Sequence, residues 1–135
     1  MIRVLVVDDH PVVRAAVVNL LESTGRLSVV GEAVDGLEAI ERAGQAEPDV
    51  VLMDVTMPNM SGIEATRRLT TDRPGISVLM FSAEARPGVV RAAREAGAIG
   101  FVTKGCRARE VLRAIYAASE GRSVWPTATR SPTDP

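Results

Sequence analysis

The stretch IRVLVVDDHP, residues 2–11, decides how the rest of the chain is read. An apolar run from Ile2 to Val7 stops at two acids, Asp8 and Asp9, and a proline follows at Pro11. The run is too short for a signal peptide or a membrane span. It lacks clean alternation, which suits a strand buried on both faces of a parallel sheet. Proline soon after it suits the first turn of a helix. The same grammar recurs at Leu27–Ala33, Val50–Met53, Ser77–Phe81 and Ile99–Val102.

Helical patterns fill the intervals. The first is expected over Pro11–Ser23, with Val13, Ala16, Val17, Leu20 and Leu21 as its apolar stripe and Gly25 beyond its end. The second follows Asp35 as N-cap and carries Leu37 and Ile40 inward. The third begins at Ser61 with Glu64 three residues on, a capping-box signature. A fourth spans Pro87–Ala96, closed by Gly97, and the last spans Arg107–Glu120, with Val111, Leu112 and Ile115 inward. The order βαβαβαβαβα predicts an α/β fold: a five-stranded parallel sheet with helices on both faces. Five strands favour the flavodoxin-like order 2-1-3-4-5. From Ser123 the pattern fails. SVWPTATRSPTDP holds three prolines and reads as linker or tail, with Trp125 either packed back or loosely held. The folded domain is therefore expected over 1–121 and the linker over 122–135.

Bulk composition narrows the classes of function. A net charge of −1 offers no general basic surface for nucleic acid. One cysteine excludes an internal disulfide and any multi-cysteine metal site. A soluble protein of the cytoplasm, without membrane contact, is the expectation. Aromatics are only 3% of the chain, so Val, Leu, Ile and Ala must build the core.

Ligands of open α/β sheets bind beyond the carboxyl ends of the strands. There the first strand delivers Asp8 and Asp9, the third Asp54, the fourth Ser82 and the fifth Lys104; edge strand 2 offers only Glu32. Singly, each has a structural explanation: acids precede helices, and a serine after a strand is a turn residue. Together they are harder to dismiss. Three carboxylates held close repel one another and resist joint ionisation. A hard divalent cation with oxygen ligands compensates, and Mg²⁺ fits best. A carboxylate in such a site can attack phosphorus and form an aspartyl phosphate. Lys104 is the only lysine beside 15 arginines. A compact point charge on a flexible stem suits the steadying of a phosphoryl oxygen better than a planar fork. Ser82 or backbone N–H groups would take another oxygen.

LVVDDH (5–10), VVLMDVTMPNMSGIE (50–64), VLMFSAEA (78–85) and GFVTKG (100–105) resemble the receiver domain of bacterial two-component response regulators, and DDHPVVR (8–14) resembles the NarL/LuxR-type subgroup. The resemblance covers about 1–121. It implies that Asp54 takes a phosphoryl group from a phosphohistidine of a sensor histidine kinase. It implies Mg²⁺ on Asp8, Asp9, Asp54 and the Thr56 carbonyl, and Ser82 and Phe101 as switch residues. Thr56 and Glu84 fall where side chains tune the lifetime of the acyl phosphate.

The implied output is a change in the face of helix 4, strand 5 and helix 5. Ser82 is drawn inward, and Phe101 rotates in from a more exposed position. A homodimer on phosphorylation follows, with DNA bound only through a C-terminal domain that this chain lacks; a stand-alone receiver is the alternative. Gly105 follows Lys104 where many receivers have proline, which leaves the start of the last helix undetermined. His10 reads as a loop residue shaping the entrance rather than a ligand or phosphodonor, and Met57, Pro58 and Met60 as shaping the loop after Asp54. Cys106 lies near a helix N-terminus, which can lower a thiol pKa. Arg67, Arg68 and Arg73 read as a solvated face. A metal-dependent phosphatase is disfavoured because Asp8 and Asp9 are adjacent and no cap has room. A flavin binder is disfavoured by the acidic first loop and scarce aromatics.

Overall fold

The computed structural model describes residues 1–126. Five strands alternate with five helices: β1 Ile2–Val7, α1 Pro11–Glu22, β2 Leu27–Ala33, α2 Gly36–Ala46, β3 Val50–Met53, α3 Gly62–Asp72, β4 Ser77–Ser82, α4 Pro87–Glu95, β5 Gly100–Thr103 and α5 Ala108–Ser119. The sheet has the order β2-β1-β3-β4-β5, and all its pairs are parallel. This is the expected flavodoxin-like architecture.

Strand geometry sends successive side chains to opposite faces, and the core divides accordingly. Leu5, Val7, Val51, Met53, Val78, Met80 and Phe101 face α2, α3 and α4. Val4, Val6, Val50, Leu52, Leu79, Phe81 and Val102 face α1 and α5. Both faces of β3 are buried, so its sequence VVLM shows no polar alternation.

The helices begin where the sequence places their caps. The Asp35 side chain accepts from the Glu38 N–H at 2.8 Å, and Ser61 Oγ from the Glu64 N–H at 3.2 Å. Asp35 also accepts from Asn59 Nδ2 at 2.7 Å, which ties the start of α2 to the loop after β3. Backbone and side-chain hydrogen bonds, Glu38 first and Asn59 next, hold its carboxyl below the ordinary carboxylate value.

Two inward faces differ from the sequence reading. Leu37 is 52% exposed, and α2 instead presents Gly36, Ala39 and Ala43. A Cβ on Gly36 would lie 2.7 Å from the Met60 carbonyl oxygen, so close approach requires glycine there. Ala16 is exposed; Val17 and Leu21 carry the buried stripe of α1. Small residues let helices sit close to the sheet, and they give little hydropathy signal. The last helix starts at Ala108, after a turn closed by a Cys106 N–H to Thr103 carbonyl bond of 3.1 Å. Among the described residues no peptide bond is cis, and no helix is long and apolar enough to cross a membrane. Residues 127–135, the larger part of the expected linker, lie outside the described residues.

Candidate functional site: an acidic cleft at the strand ends

The sheet ladder continues one residue beyond the strands and aims the polar side chains. The Asp8 N–H bonds the Ala33 carbonyl at 3.0 Å, the Asp54 N–H the Val7 carbonyl at 3.0 Å, and the Lys104 N–H the Ser82 carbonyl at 2.9 Å. Side chains from neighbouring strands therefore arrive at one rim in fixed register. At the base of α3, a Cβ on Gly62 would lie 1.8 Å from the Asp54 carbonyl oxygen. Glycine is required for α3 to start there, and the contact fixes the backbone below Asp54.

Lys104 Nζ lies 2.7 Å from Asp8 Oδ2 and 3.2 Å from Asp54 Oδ2. Asp8, Asp54 and Ser82 are buried. The Ser82 hydroxyl accepts from the Glu84 N–H at 3.1 Å. Ligand atoms of Asp8, Asp9, His10 and Asp54 all fall within 4.8 Å of one another. A cleft of about 290 Å³ is lined by Asp9, His10, Asp54, Thr56, Ser82, Glu84 and Lys104. The expected carboxylates, hydroxyl and ammonium thus converge, together with Thr56 and Glu84.

Burial pushes the Asp54 carboxyl above its ordinary value; Lys104 opposes the shift, and repulsion from Asp8 and Asp9 adds to it. Burial pulls the Lys104 ammonium downward, but its contacts with Asp8 and Asp54 outweigh that and leave it raised. The lysine stays charged, while the carboxyl group beside it resists ionisation. Asp9 Oδ1 is buried and accepts no hydrogen bond, although His10 Nδ1 lies 3.2 Å away. A buried carboxylate oxygen without a donor, amid two further carboxylates, fits a hard cation.

Other residues take places that differ from the sequence reading. Phe101 is fully buried rather than exposed: its ring joins the core facing α2, α3 and α4, and its N–H is bonded to the Val124 carbonyl at 2.8 Å. Burial, then Glu110, pushes the Cys106 thiol up, opposite to the shift a helix N-terminus would give. Trp125 packs back on the core. Arg67 and Arg68 pair with Glu64 on an open face, at 2.7 and 3.3 Å.

Sequence reasoning missed one positioning group. Arg14 donates to the Asp8 carbonyl at 2.7 Å and pairs with Glu32 at 3.0 Å, clamping the end of β1 to β2. His10 stands at the mouth of the cleft as expected, but also against the acids: its N–H donates to Asp8 Oδ1 at 2.8 Å, and Nδ1 lies 3.1 Å from the same oxygen.

A parallel sheet in this order, with an acidic cleft and a lysine at its carboxyl rim, defines a receiver. The model of the response regulator receiver domain matches residues 4–116, and the chain belongs to that family. It is 44% identical over 115 residues to the response regulator GacA of Pseudomonas viridiflava, covering 85% of this chain and 54% of the relative. It is 38% identical to the response regulator protein VraR of Staphylococcus aureus, covering 92% of this chain and 59% of the relative. The chain thus spans little more than half the length of these curated relatives. A LuxR-family two-component response regulator from Aurantimonas superposes with a TM-score of 0.90 at 37% identity, covering 94% of this chain and 91% of that one. The signal receiver domain of the response regulator NarL from Mycobacterium tuberculosis gives 0.86 at 38% identity, covering 90% and 98%. The chain is of the NarL/LuxR type.

Proposed function

We propose that Asp54 is the phosphoacceptor of a two-component switch. Its carboxylate oxygen attacks the phosphorus of a phosphohistidine on a sensor histidine kinase. The phosphorus–oxygen bond forms as the phosphorus–nitrogen bond breaks, and the departing imidazole takes up a proton. Asp8, Asp9, Asp54 and the Thr56 carbonyl would hold Mg²⁺, which when bound offsets the negative charge gathered at the phosphoryl oxygens. Lys104 leaves its contact with the Asp54 carboxylate to steady one phosphoryl oxygen. Ser82 supplies a hydroxyl to another, giving up the bond from the Glu84 N–H. Thr56 and Glu84 border the path of water to the acyl phosphate and tune its lifetime. No separate substrate is turned over; the chain catalyses only the gain and loss of its own phosphoryl group.

The output is a changed surface of α4, β5 and α5, with both states pre-existing and phosphorylation shifting their populations. That surface forms a homodimer contact. In the whole protein it controls a C-terminal DNA-binding domain in the cytoplasm, with residues after 121 as the linker. The greater length of the relatives supports this reading over a stand-alone receiver.

One observation carries the proposal: a single ammonium lies within 3.2 Å of carboxylates from two different strands, in a cleft also lined by Ser82. Mass spectrometry after incubation with acetyl phosphate and Mg²⁺ tests it. One added phosphoryl group is expected on the native chain and none on Asp54→Ala. No adduct, or an adduct that survives the substitution, overturns the assignment.

A further inference from the structure

The chain does not leave the domain at the end of α5. Gly121 adopts a φ of 77°, a left-handed turn, and the Arg122 N–H bonds back to the Ala117 carbonyl at 2.8 Å. The next residues run along the outer edge of β5. The Val124 carbonyl accepts from the Phe101 N–H at 2.8 Å. Val124 packs against the core shared with α1 and α5, and Trp125 against the core on the other side of the sheet. Neighbouring residues facing opposite sides is the habit of a strand. The Arg94 guanidinium of α4 lies 4.2 Å from the centre of the Trp125 ring, a cation–π contact. Gly100 makes room for this arrangement: a Cβ there would stand 2.7 Å from the Val124 carbonyl oxygen and 3.2 Å from its nitrogen.

β5 would otherwise present its unpaired edge to any extended chain. Four residues of β5 also connect two features of the molecule. The strand holds Phe101, bonded to the segment outside it, and leads directly into Lys104, paired with Asp8 and Asp54. A change in what Lys104 grips therefore acts on the same strand that the segment grips.

We propose that Arg122–Pro126 is a latch on the edge of β5, which holds the Phe101 backbone and covers the α4–β5–α5 surface, and which is released when Asp54 is phosphorylated. The coupling rests on Asp54 being the phosphoacceptor. Coupling between two sites is reciprocal. If phosphorylation opens the latch, opening the latch must tighten the binding of a phosphoryl mimic by the same factor.

Trp125 is the only tryptophan, so its emission reports on the latch alone. The full chain is titrated with beryllofluoride and Mg²⁺, with ¹⁹F NMR reading the bound mimic and fluorescence reading Trp125. Binding should bring a red shift and stronger acrylamide quenching. Gly100→Ala should show that open-latch emission without the mimic and bind beryllofluoride about fivefold more tightly or better, the lower range of allosteric coupling. The added methyl group would also approach Leu79 Cδ1 at 3.1 Å. Trp125→Ala, which leaves β4 and β5 unaltered, should therefore tighten the mimic as well, read by ¹⁹F NMR alone. Bound mimic with unchanged Trp125 emission, or unchanged mimic affinity in both variants, overturns the latch and leaves the phosphoacceptor reading intact. No bound mimic, together with no phosphoryl adduct on the native chain, overturns both.

Discussion

At Asp54 several effects meet on one carboxyl group. Burial raises its pKa, Lys104 lowers it, Asp8 and Asp9 raise it again, and the balance is upward from an ordinary value of 3.8. The folded state therefore holds this proton more tightly than the unfolded chain. Stability contributed by the group is fully present below the ordinary value and is lost as pH rises through the raised one. At neutral pH the ionised Asp54 works against folding. Asp54→Asn keeps the shape and cannot ionise, so it should melt above the native chain at about pH 7, without divalent cations. The gap should close as pH falls below about 4, where both carry a neutral group. Thermal melts across that range check it; a gap independent of pH would show that charge at residue 54 is not the cause. Mg²⁺ should raise the melting point of the native chain and narrow the gap, because a ligand stabilises the state that binds it. The lone lysine and the acids at strand ends made this site legible in the sequence, because sheet geometry alone brings strand ends together. Arg14 was not legible as a partner of Asp8, because its target is a backbone carbonyl and no residue type marks it.

The elements were read closely wherever a local rule sets their limits. Asp35 and Ser61 cap α2 and α3 through their own side chains, and a capping signature is a property of four consecutive residues. The inward face of α2 was misread because Gly36, Ala39 and Ala43 bury more completely than Leu37. Hydropathy favours the leucine; close packing of helix on sheet favours the small side chains. The same closeness governs α3. A methyl group on Gly62 would meet the Asp54 carbonyl oxygen at 1.8 Å, which no side-chain rotation relieves. Gly62→Ala must push α3 from the end of β3 or shift Asp54 itself. It should cost at least about 1–3 kcal/mol, the usual range for overpacking, and should slow phosphoryl uptake from acetyl phosphate. Urea unfolding and the rate of mass gain measure the two effects. Normal stability with normal uptake would mean that the backbone below Asp54 does not need this contact.

At the scale of the whole molecule, two apolar layers share one sheet, and each edge strand needs separate protection. The strand order followed from the alternation of strands and helices, as did the rim that carries the cleft. What covers β5 did not follow, because SVWP has neither strand length nor helical period; its contacts include the backbone bond from Phe101 to Val124 and the packing of Val124 and Trp125. A boundary at 121 follows the end of α5 but cuts through packing. A chain ending at Gly121 retains every strand and helix of the described residues and should fold. It loses Val124 from one layer and Trp125 from the other. The apolar area returned to water should cost about 1–3 kcal/mol, near the value for one buried side chain, since both are only partly buried. Equilibrium urea unfolding of the two lengths gives that difference directly. The shortened chain also bares the Phe101 N–H on an edge strand, and such edges pair with other chains. Its sedimentation should therefore show self-association without any phosphoryl mimic, at concentrations where the full chain stays monomeric. Equal stability and equal monomer content would show that residues 122–126 rest on β5 without holding or shielding it.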